Sequence, residues 1–118
     1  MSELTDWIHK SLRRSITETK KRAKRRGIQF EITKEYIDHL TFINPERCSL
    51  SGIQFKLRAK NFTRNPYAPS IDRIDNTRGY TPENIRIVAY CINNAMNEWG
   101  EGILKEITTA YKDWNPQW

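Results

Sequence analysis

Residues 70–93 read SIDRIDNTRGYTPENIRIVAYCIN, and this stretch decides the fold that we predict. Two short apolar runs flank a Gly-Tyr-Thr-Pro turn, so we predict strands over 70–74 and 85–88. A helix should follow from about residue 89 or 90 to residue 98. Three polar residues stand at fixed intervals in this frame: Asn84 follows Asp72 by 12 positions, and Asn93 follows Asn84 by 9.

These polar residues carry the chemistry of a metal site. A hard cation such as Mg²⁺ takes oxygen ligands and keeps several waters, so one or two protein ligands suffice. Asp72 offers a carboxylate and Asn93 an amide oxygen. Each residue alone is better explained as a turn or cap residue, but taken jointly, with their spacing and the apolar runs, they favour a metal site.

The spacing resembles the HNH, or ββα-metal, nuclease motif over about residues 44–97. In that family the first strand ends in Asp-His, a central Asn stabilises the loop, and a His or Asn on the helix binds the metal. Asp72, Asn84 and Asn93 fall on those three positions. The segment 26–33, which reads RGIQFEIT, also resembles small HNH proteins of phages. The resemblance implies an α+β fold, one Mg²⁺ or Mn²⁺ ion held by Asp72 and Asn93, and hydrolysis of DNA.

Arg73 occupies the position where the family carries its histidine base. An arginine stays protonated and cannot act as a general base near neutral pH. It can instead grip the scissile phosphate with two hydrogen bonds and offset charge in the transition state. The residues that we assign to catalysis are therefore Asp72, Arg73, Asn84, Asn93 and Asp75.

The base that takes the proton from the attacking water is left open. The candidates are a water molecule on the metal ion acting with little help, Asp75, and a nearby tyrosine such as Tyr67 or Tyr80. His9 and His39 lie on predicted helices outside the motif, and we interpret each as a surface or packing residue.

Many HNH proteins pin the motif with a structural zinc held by two Cys-x-x-Cys pairs. In this chain the first pair reads Cys48 and Ser51, and the second reads Ala89 and Ile92. Three of the four ligands are thus absent, and we predict no structural zinc. Apolar packing that includes Cys91 would replace it, with both cysteines reduced and buried.

A basic block near the start of the chain predicts contact with a polyanion. Residues 1–30 contain nine Lys or Arg and three acids, which accounts for the whole net charge of +6. Such clustering is the electrostatic footprint of a nucleic-acid binder. The residues that we assign to DNA backbone contacts are Lys20, Lys21, Arg22, Lys24, Arg25 and Arg26.

Periodicity predicts the elements before the motif. Apolar residues recur every three or four positions over residues 3–25, which predicts a helix that ends at Gly27. Alternation over 28–32 predicts a short strand. Thr33 should cap a helix over 34–42 that Pro45 ends. We interpret 55–69 as a loop.

A last amphipathic helix is predicted after the motif. Gly100 and Gly102 should break the motif helix, and the final helix should follow them. Its apolar side is formed by Ile103, Leu104, Ile107, Ala110, Tyr111 and Trp114. The tryptophans Trp7, Trp99, Trp114 and Trp118 are interpreted as core or docking residues.

Composition is typical of one soluble domain spanning 1–118, with 37% hydrophobic and 29% charged residues. We divide it into the basic helix, strand and helix (1–43), the ββα-metal motif (44–98) and the final helix (99–118). No apolar run approaches the roughly 18–20 residues of a membrane span, and the first residues lack a signal-peptide pattern. We therefore expect a cytoplasmic protein without a membrane partner.

Two other functions stay open. The chain could be a catalytically inactive HNH-fold module that binds DNA as a regulator or architectural factor, because folds host unrelated functions. It could also be an interaction domain whose basic helix binds an acidic protein. A homodimer that reads two half-sites is an alternative to a monomer with little base preference.

Overall fold

A two-stranded antiparallel sheet and the helix that follows it form the centre of the fold. In the computed structural model, which describes residues 2–43, 46–58 and 61–117, β1 (Pro69–Arg73) pairs with β2 (Ile85–Ala89). A 3₁₀ turn over Pro82–Asn84 leads into β2, and α3 (Tyr90–Met96) follows directly. This order confirms the predicted ββα unit and the α+β class.

The predicted N-terminal helix is present as α1 (Glu3–Arg26). The Ser2 side chain caps it by accepting a hydrogen bond from the Thr5 amide at 3.0 Å. Gly27 ends it in the left-handed region, with φ of 66°, where glycine carries no steric penalty. Ile8 and Leu12 are fully buried, and the helix packs along α2 (Lys34–Ile43) and β1.

The prediction of a strand over 28–32 was wrong. Phe30 forms an isolated parallel bridge with Tyr80, held by hydrogen bonds from Glu31 N to Tyr80 O and from Tyr80 N to Gln29 O. The ladder ends there because Pro82, two residues on, has no amide hydrogen to donate. Gly79 permits the close approach, since a Cβ there would lie 2.6 Å from Gln29 Cβ.

Helix α2 begins where the sequence predicts. The Tyr36 amide donates to Thr33 Oγ1 at 3.1 Å, and Ile37 is fully buried. The helix runs to Ile43, one residue beyond the prediction. Pro45, which we expected to end it, lies outside the described residues.

The last helix, α4 (Gly100–Asp113), begins at one of the glycines expected to precede it. Helix α3 ends at Met96, two residues before the predicted end, and Asn97 there has φ of 43°. Gly100 has φ of 81° and separates the helices, but Gly102 lies inside α4, so its predicted helix-breaking role was wrong. No helix in the described part of the chain is long and apolar enough to cross a membrane.

Of the four positions where the zinc ligands would stand, three pack as part of the core, and the fourth, Ser51, is exposed. Cys48 and Ala89 are buried, and Ile92 packs against the same cluster. Cys91 is exposed, so the expectation that both thiols are buried was wrong for this residue. It is the second residue of α3.

Candidate functional site

A cavity of about 420 Å³ opens beside the ββα unit, between α1, β1 and α3. Three of the predicted catalytic residues, Asp72, Arg73 and Asn93, line it. Arg22 and Arg26 of the basic block line its α1 side. Strand, motif helix and basic helix thus contribute to one polar cavity.

Asp72 is held in the cavity wall by its cross-strand neighbour. Asp72 and Arg86 are register partners in the sheet, and Arg86 Nε donates to Asp72 Oδ2 at 2.8 Å. Only 12% of the Asp72 side chain and 14% of the Arg86 side chain are exposed. Arg86 Nη1 also lies 3.4 Å from Glu101 Oε2 at the start of α4.

Burial and ion pairing act in opposite directions on the Asp72 carboxyl. Burial raises its pKa because desolvation penalises the charged form, while the hydrogen bond and charge of Arg86 and the charge of Arg73 lower it. The net pKa lies above the usual aspartate range, since burial is the largest contribution. Arg86 is therefore a residue that favours the ionised carboxylate at a desolvated position.

Asn93 is fixed against β1 by its amide nitrogen. Nδ2 donates to Ser70 Oγ at 2.7 Å and to Ile71 O at 3.3 Å. These contacts set the orientation of the side chain and leave Oδ1, the atom able to bind a metal ion, as the remaining polar atom. The sequence therefore supplies one oriented amide oxygen from the helix of the ββα unit.

The oxygen atoms that face the cavity as possible metal ligands fit a hard divalent cation that keeps most of its water. Asp72 Oδ1 and Asn93 Oδ1 take no part in the hydrogen bonds described above, and both residues line the same cavity. Within the described ranges, no group of three or more His, Cys, Asp or Glu is arranged to hold a metal ion. One carboxylate and one amide oxygen suit Mg²⁺ or Mn²⁺, whose coordination shell is completed by water and phosphate.

Asn84 joins the two ends of the loop between the strands. It is 1% exposed, and its Oδ1 accepts from the Asp75 amide at 2.9 Å. Its Nδ2 donates to Asp75 O at 3.0 Å and to Gly79 O at 2.8 Å. All its side-chain hydrogen bonds are thus made to loop backbone, and the residue does not line the cavity.

Arg73 is positioned by the loop on one side and by an aromatic ring on the other. Nη1 donates to Arg78 O at 2.8 Å, and the guanidinium carbon lies 5.1 Å from the centroid of the Tyr80 ring. A guanidinium that stacks on an aromatic ring and has N–H donors to spare is well suited to bind a phosphate. Its charge faces the cavity that holds Asp72.

The candidate bases differ in where they lie. Tyr80 lines the main cavity, whereas Asp75 lines a smaller neighbouring one of about 210 Å³. Asp75 Oδ1 accepts hydrogen bonds from Thr77 Oγ1 and the Thr77 amide, and both lower the pKa of that carboxyl. Tyr67 lines neither cavity and instead has Lys56 Nζ 4.2 Å from its ring centroid.

The two histidines lie away from the cavity. His9 on α1 faces Asp38 on α2, with Nε2 3.4 Å from Oδ1. His39 is exposed on α2, and its ring centroid is 6.2 Å from that of Tyr36. Neither histidine lines either of the two cavities.

The basic block divides into two groups. All six residues are exposed, but only Arg22 and Arg26, one helical turn apart, line the cavity. Lys21 Nζ lies 3.7 Å from Glu18 on the same helix. The remaining members, Lys20, Lys24 and Arg25, are surface cations that do not line it.

Three residues of the site were missed by the sequence analysis. Arg86 could have been found, because antiparallel register between the predicted strands sets it opposite Asp72. Arg64 donates to the Tyr90 hydroxyl at 2.7 Å, and both residues line the cavity. Hydrogen bonds from Asn94 and then Arg64 lower the pKa of Tyr90. No local pattern places a loop arginine such as Arg64 at the site.

Comparison with known proteins gives one structural match of interest. The solved structure of the rare-cutting HNH restriction endonuclease PacI is similar to this chain, with a TM-score of 0.57 over 78% of this chain and 69% of that one. Sequence identity is 16%, so the likeness bears on the fold alone. No protein-family model and no curated protein sequence matches the chain. The structural likeness to PacI shows that the chain has an HNH-type fold.

Proposed function

We propose that this protein is a metal-dependent endonuclease that hydrolyses phosphodiester bonds of DNA. The observation that carries the proposal is the shared cavity of Asp72 and Asn93, which come from the strand and the helix of one ββα unit. Four arginines line the same cavity: Arg22, Arg26, Arg64 and Arg73. A pair of oxygen ligands surrounded by guanidinium groups suits a cation and a phosphate together.

Asp72 and Asn93 Oδ1 would hold one Mg²⁺ or Mn²⁺ ion. When bound, the ion would neutralise charge on the scissile phosphate and on the leaving oxygen. Asp72 has to be ionised for this role, and its hydrogen bond from Arg86 favours that form. The Arg86 guanidinium also fixes the carboxylate orientation, as outer partners of metal ligands commonly do.

The arginines would hold the substrate backbone. Arg73 would contact the scissile phosphate, because its guanidinium is anchored to the loop and still faces the cavity. Arg22 and Arg26 would contact a neighbouring phosphate from the α1 side, with the other cations of the basic block adding longer-range attraction. Asn84 would act indirectly by keeping the loop after Arg73 in one conformation.

A base has to take the proton when water attacks the phosphorus and the P–O bond to the leaving group breaks. Among the candidates from sequence, Tyr80 lines the cavity of Asp72 and Asn93. Asp75 is less suited, because its two hydrogen bonds from Thr77 lower the pKa of the carboxyl and occupy its Oδ1 atom. Comparing the pH–rate profiles of Tyr80→Phe and Asp75→Asn separates the two roles.

A catalytically inactive DNA-binding module is the second candidate. Two observations favour it: Arg73 stands where the family carries its histidine base, and Asp72 is already paired with Arg86. In that case the arginines of the cavity would bind DNA without metal and without cleavage.

Cleavage of supercoiled plasmid tests the proposal. The protein is incubated with Mg²⁺, with Mn²⁺ or with EDTA, beside Asp72→Ala and Asn93→Ala, whose folding is checked by circular dichroism. The expected result is nicking or linearisation that requires metal and that both folded variants lose. If the plasmid shifts in a gel but stays intact with either metal, the binding module is the better account.

A further inference from the structure

An unusually exposed apolar stripe runs along one side of α4. Trp99 stands just before α4 and lines the same groove as Ile103 and Ile107, which share one helix face with Tyr111 at intervals of four. Their exposed fractions are 60%, 44%, 61% and 86%. An amphipathic helix in a monomer normally turns such a face to the core. Here no residue of α4 is buried, although the helix packs against α3.

The stripe borders an apolar groove with room for side chains. The groove has a volume of about 450 Å³ and is lined by Ala95, Trp99, Ile103, Leu104 and Ile107. A second groove of about 330 Å³ lies on the other side of Leu104, towards Leu50 and Ile92. A ridge of side chains beside a groove is the shape that helices use when they pack against each other.

The charges around the stripe argue for a protein partner. Residues 99–117 contain two lysines and three acids, a net charge of −1, while the basic charge is concentrated in residues 1–30. A face with a net negative charge does not attract DNA, which is itself negatively charged. Helices that lie on membranes carry many Lys or Arg on the polar side, which α4 lacks.

The exposed area suits a second copy of the same chain. A tryptophan or tyrosine buries on the order of 150–250 Å² when covered, so the four side chains offer roughly 500 Å² per copy. Two copies together would reach about 1,000 Å², the lower bound for a specific interface.

We propose that the stripe Trp99, Ile103, Ile107 and Tyr111 is the interface of a two-fold symmetric homodimer, in which α4 of one copy packs antiparallel on α4 of the other. An isologous contact lets the ridge of each helix fill the groove of its partner. Antiparallel pairing opposes the helix dipoles, so the positive end of each helix lies beside the negative end of the other. The proposal does not depend on nuclease activity.

Sedimentation velocity and light scattering over a wide concentration range test it. We expect the unmodified protein to reach twice the 14.0 kDa mass of one chain. Ile107→Glu should raise the dissociation constant at least about 100-fold, because a charge cannot be buried in an apolar interface without a partner. Phe42→Glu is the matched control, since Phe42 is 84% exposed but lies on α2.

Each other outcome overturns the proposal. A protein that stays at 14.0 kDa at every concentration has no such dimer. A dimer that persists in Ile107→Glu, or that Phe42→Glu also disrupts, uses another surface. Circular dichroism checks that Ile107→Glu is folded, and Ile107→Ser replaces it if it is not. Ile107→Ser should weaken the dimer in the same direction.

Discussion

Asp72 and Arg86 are direct neighbours across the two-stranded sheet, and Arg86 Nε donates to Asp72 Oδ2 at 2.8 Å. The pair is mostly buried; Asp72 lines the arginine-lined cavity, and both residues line the smaller neighbouring cavity. It has two consequences. The carboxylate proposed to bind metal is preoriented, and the charge of a desolvated aspartate is balanced before any cation arrives.

Removing Arg86 should destabilise the fold. Arg86→Met would leave Asp72 with a desolvated charge that has lost its partner, and such losses cost about 3–5 kcal/mol in fully buried pairs. We expect about 2–4 kcal/mol here because the site is partly exposed. Urea denaturation measures it, with Arg14→Met on the exposed face of α1 as the control. Equal stability of the two variants would mean that the pair is not needed.

Asn84→Ala should also be costly. The substitution leaves one loop amide and two carbonyls without their side-chain partner, which we expect to lower the free energy of unfolding by about 2–4 kcal/mol. Cleavage should fall too, because Arg73 is anchored to the same loop. Asn115→Ala, at an exposed position, is the control for both measurements. A fully stable Asn84→Ala protein would show that the loop keeps its shape by other contacts.

Arg22 and Arg26 should contribute to DNA binding independently of base sequence. Each lost phosphate contact should reduce the slope of log K against log salt concentration by about 1. Fluorescence anisotropy at several salt concentrations measures this slope for Arg22→Ala and Arg26→Ala. Arg14→Ala, on the same helix but outside the cavity, should keep the original slope. Unchanged slopes in all three variants would place the DNA elsewhere.

The contact between α1 and α2 predicts a pH dependence of stability. Arg13 donates to Asp38 at 3.1 and 2.7 Å, and this hydrogen bond lowers the pKa of the Asp38 carboxyl. A lowered folded-state pKa stabilises the protein above the ordinary aspartate value of about 3.9. That stabilisation is lost as pH falls through the folded-state value.

Asp38→Asn measures this contribution. The variant should be less stable than the unmodified protein at pH 7, and the difference should shrink as pH falls below about 3.9. Thermal unfolding at a series of pH values gives the comparison, with Arg13→Gln expected to show the same trend. A difference that grows at low pH would contradict the assigned sign.

Much of the fold was predictable because the signals are local. The apolar period of α1 and the caps at Thr33 and Gly27 act within a few residues of one another. The strand expected around Phe30 failed for a long-range reason, since a strand needs a partner and the segment near Tyr80 offers only one bridge. The prediction that Gly102 breaks a helix failed because one glycine inside a helix lowers its stability by only about 1 kcal/mol.

The residues of the site that stand at fixed spacing on a strand and a helix could be predicted, and the residue that comes from a loop could not. Asp72 and Asn93 meet because a strand and the next helix pack together. Arg64 enters the same cavity from an irregular segment that has no periodic pattern. The sequence also could not show which basic residues of α1 line the cavity of Asp72. That Arg22 and Arg26 do so depends on how α1 packs on β1.

The most direct test of the central claim is the single-turnover rate of DNA cleavage by Asp72→Asn in the presence of Mg²⁺. This change keeps the shape of the side chain and its capacity to accept from Arg86 but removes the charge that binds a cation. Asp38→Asn is the matched control, since Asp38 also pairs with an arginine and lies outside the cavity. We predict a loss of at least about 100-fold for Asp72→Asn, which corresponds to about 2.7 kcal/mol of barrier, and a near-normal rate for Asp38→Asn. Cleavage by Asp72→Asn at the unmodified rate would contradict the account.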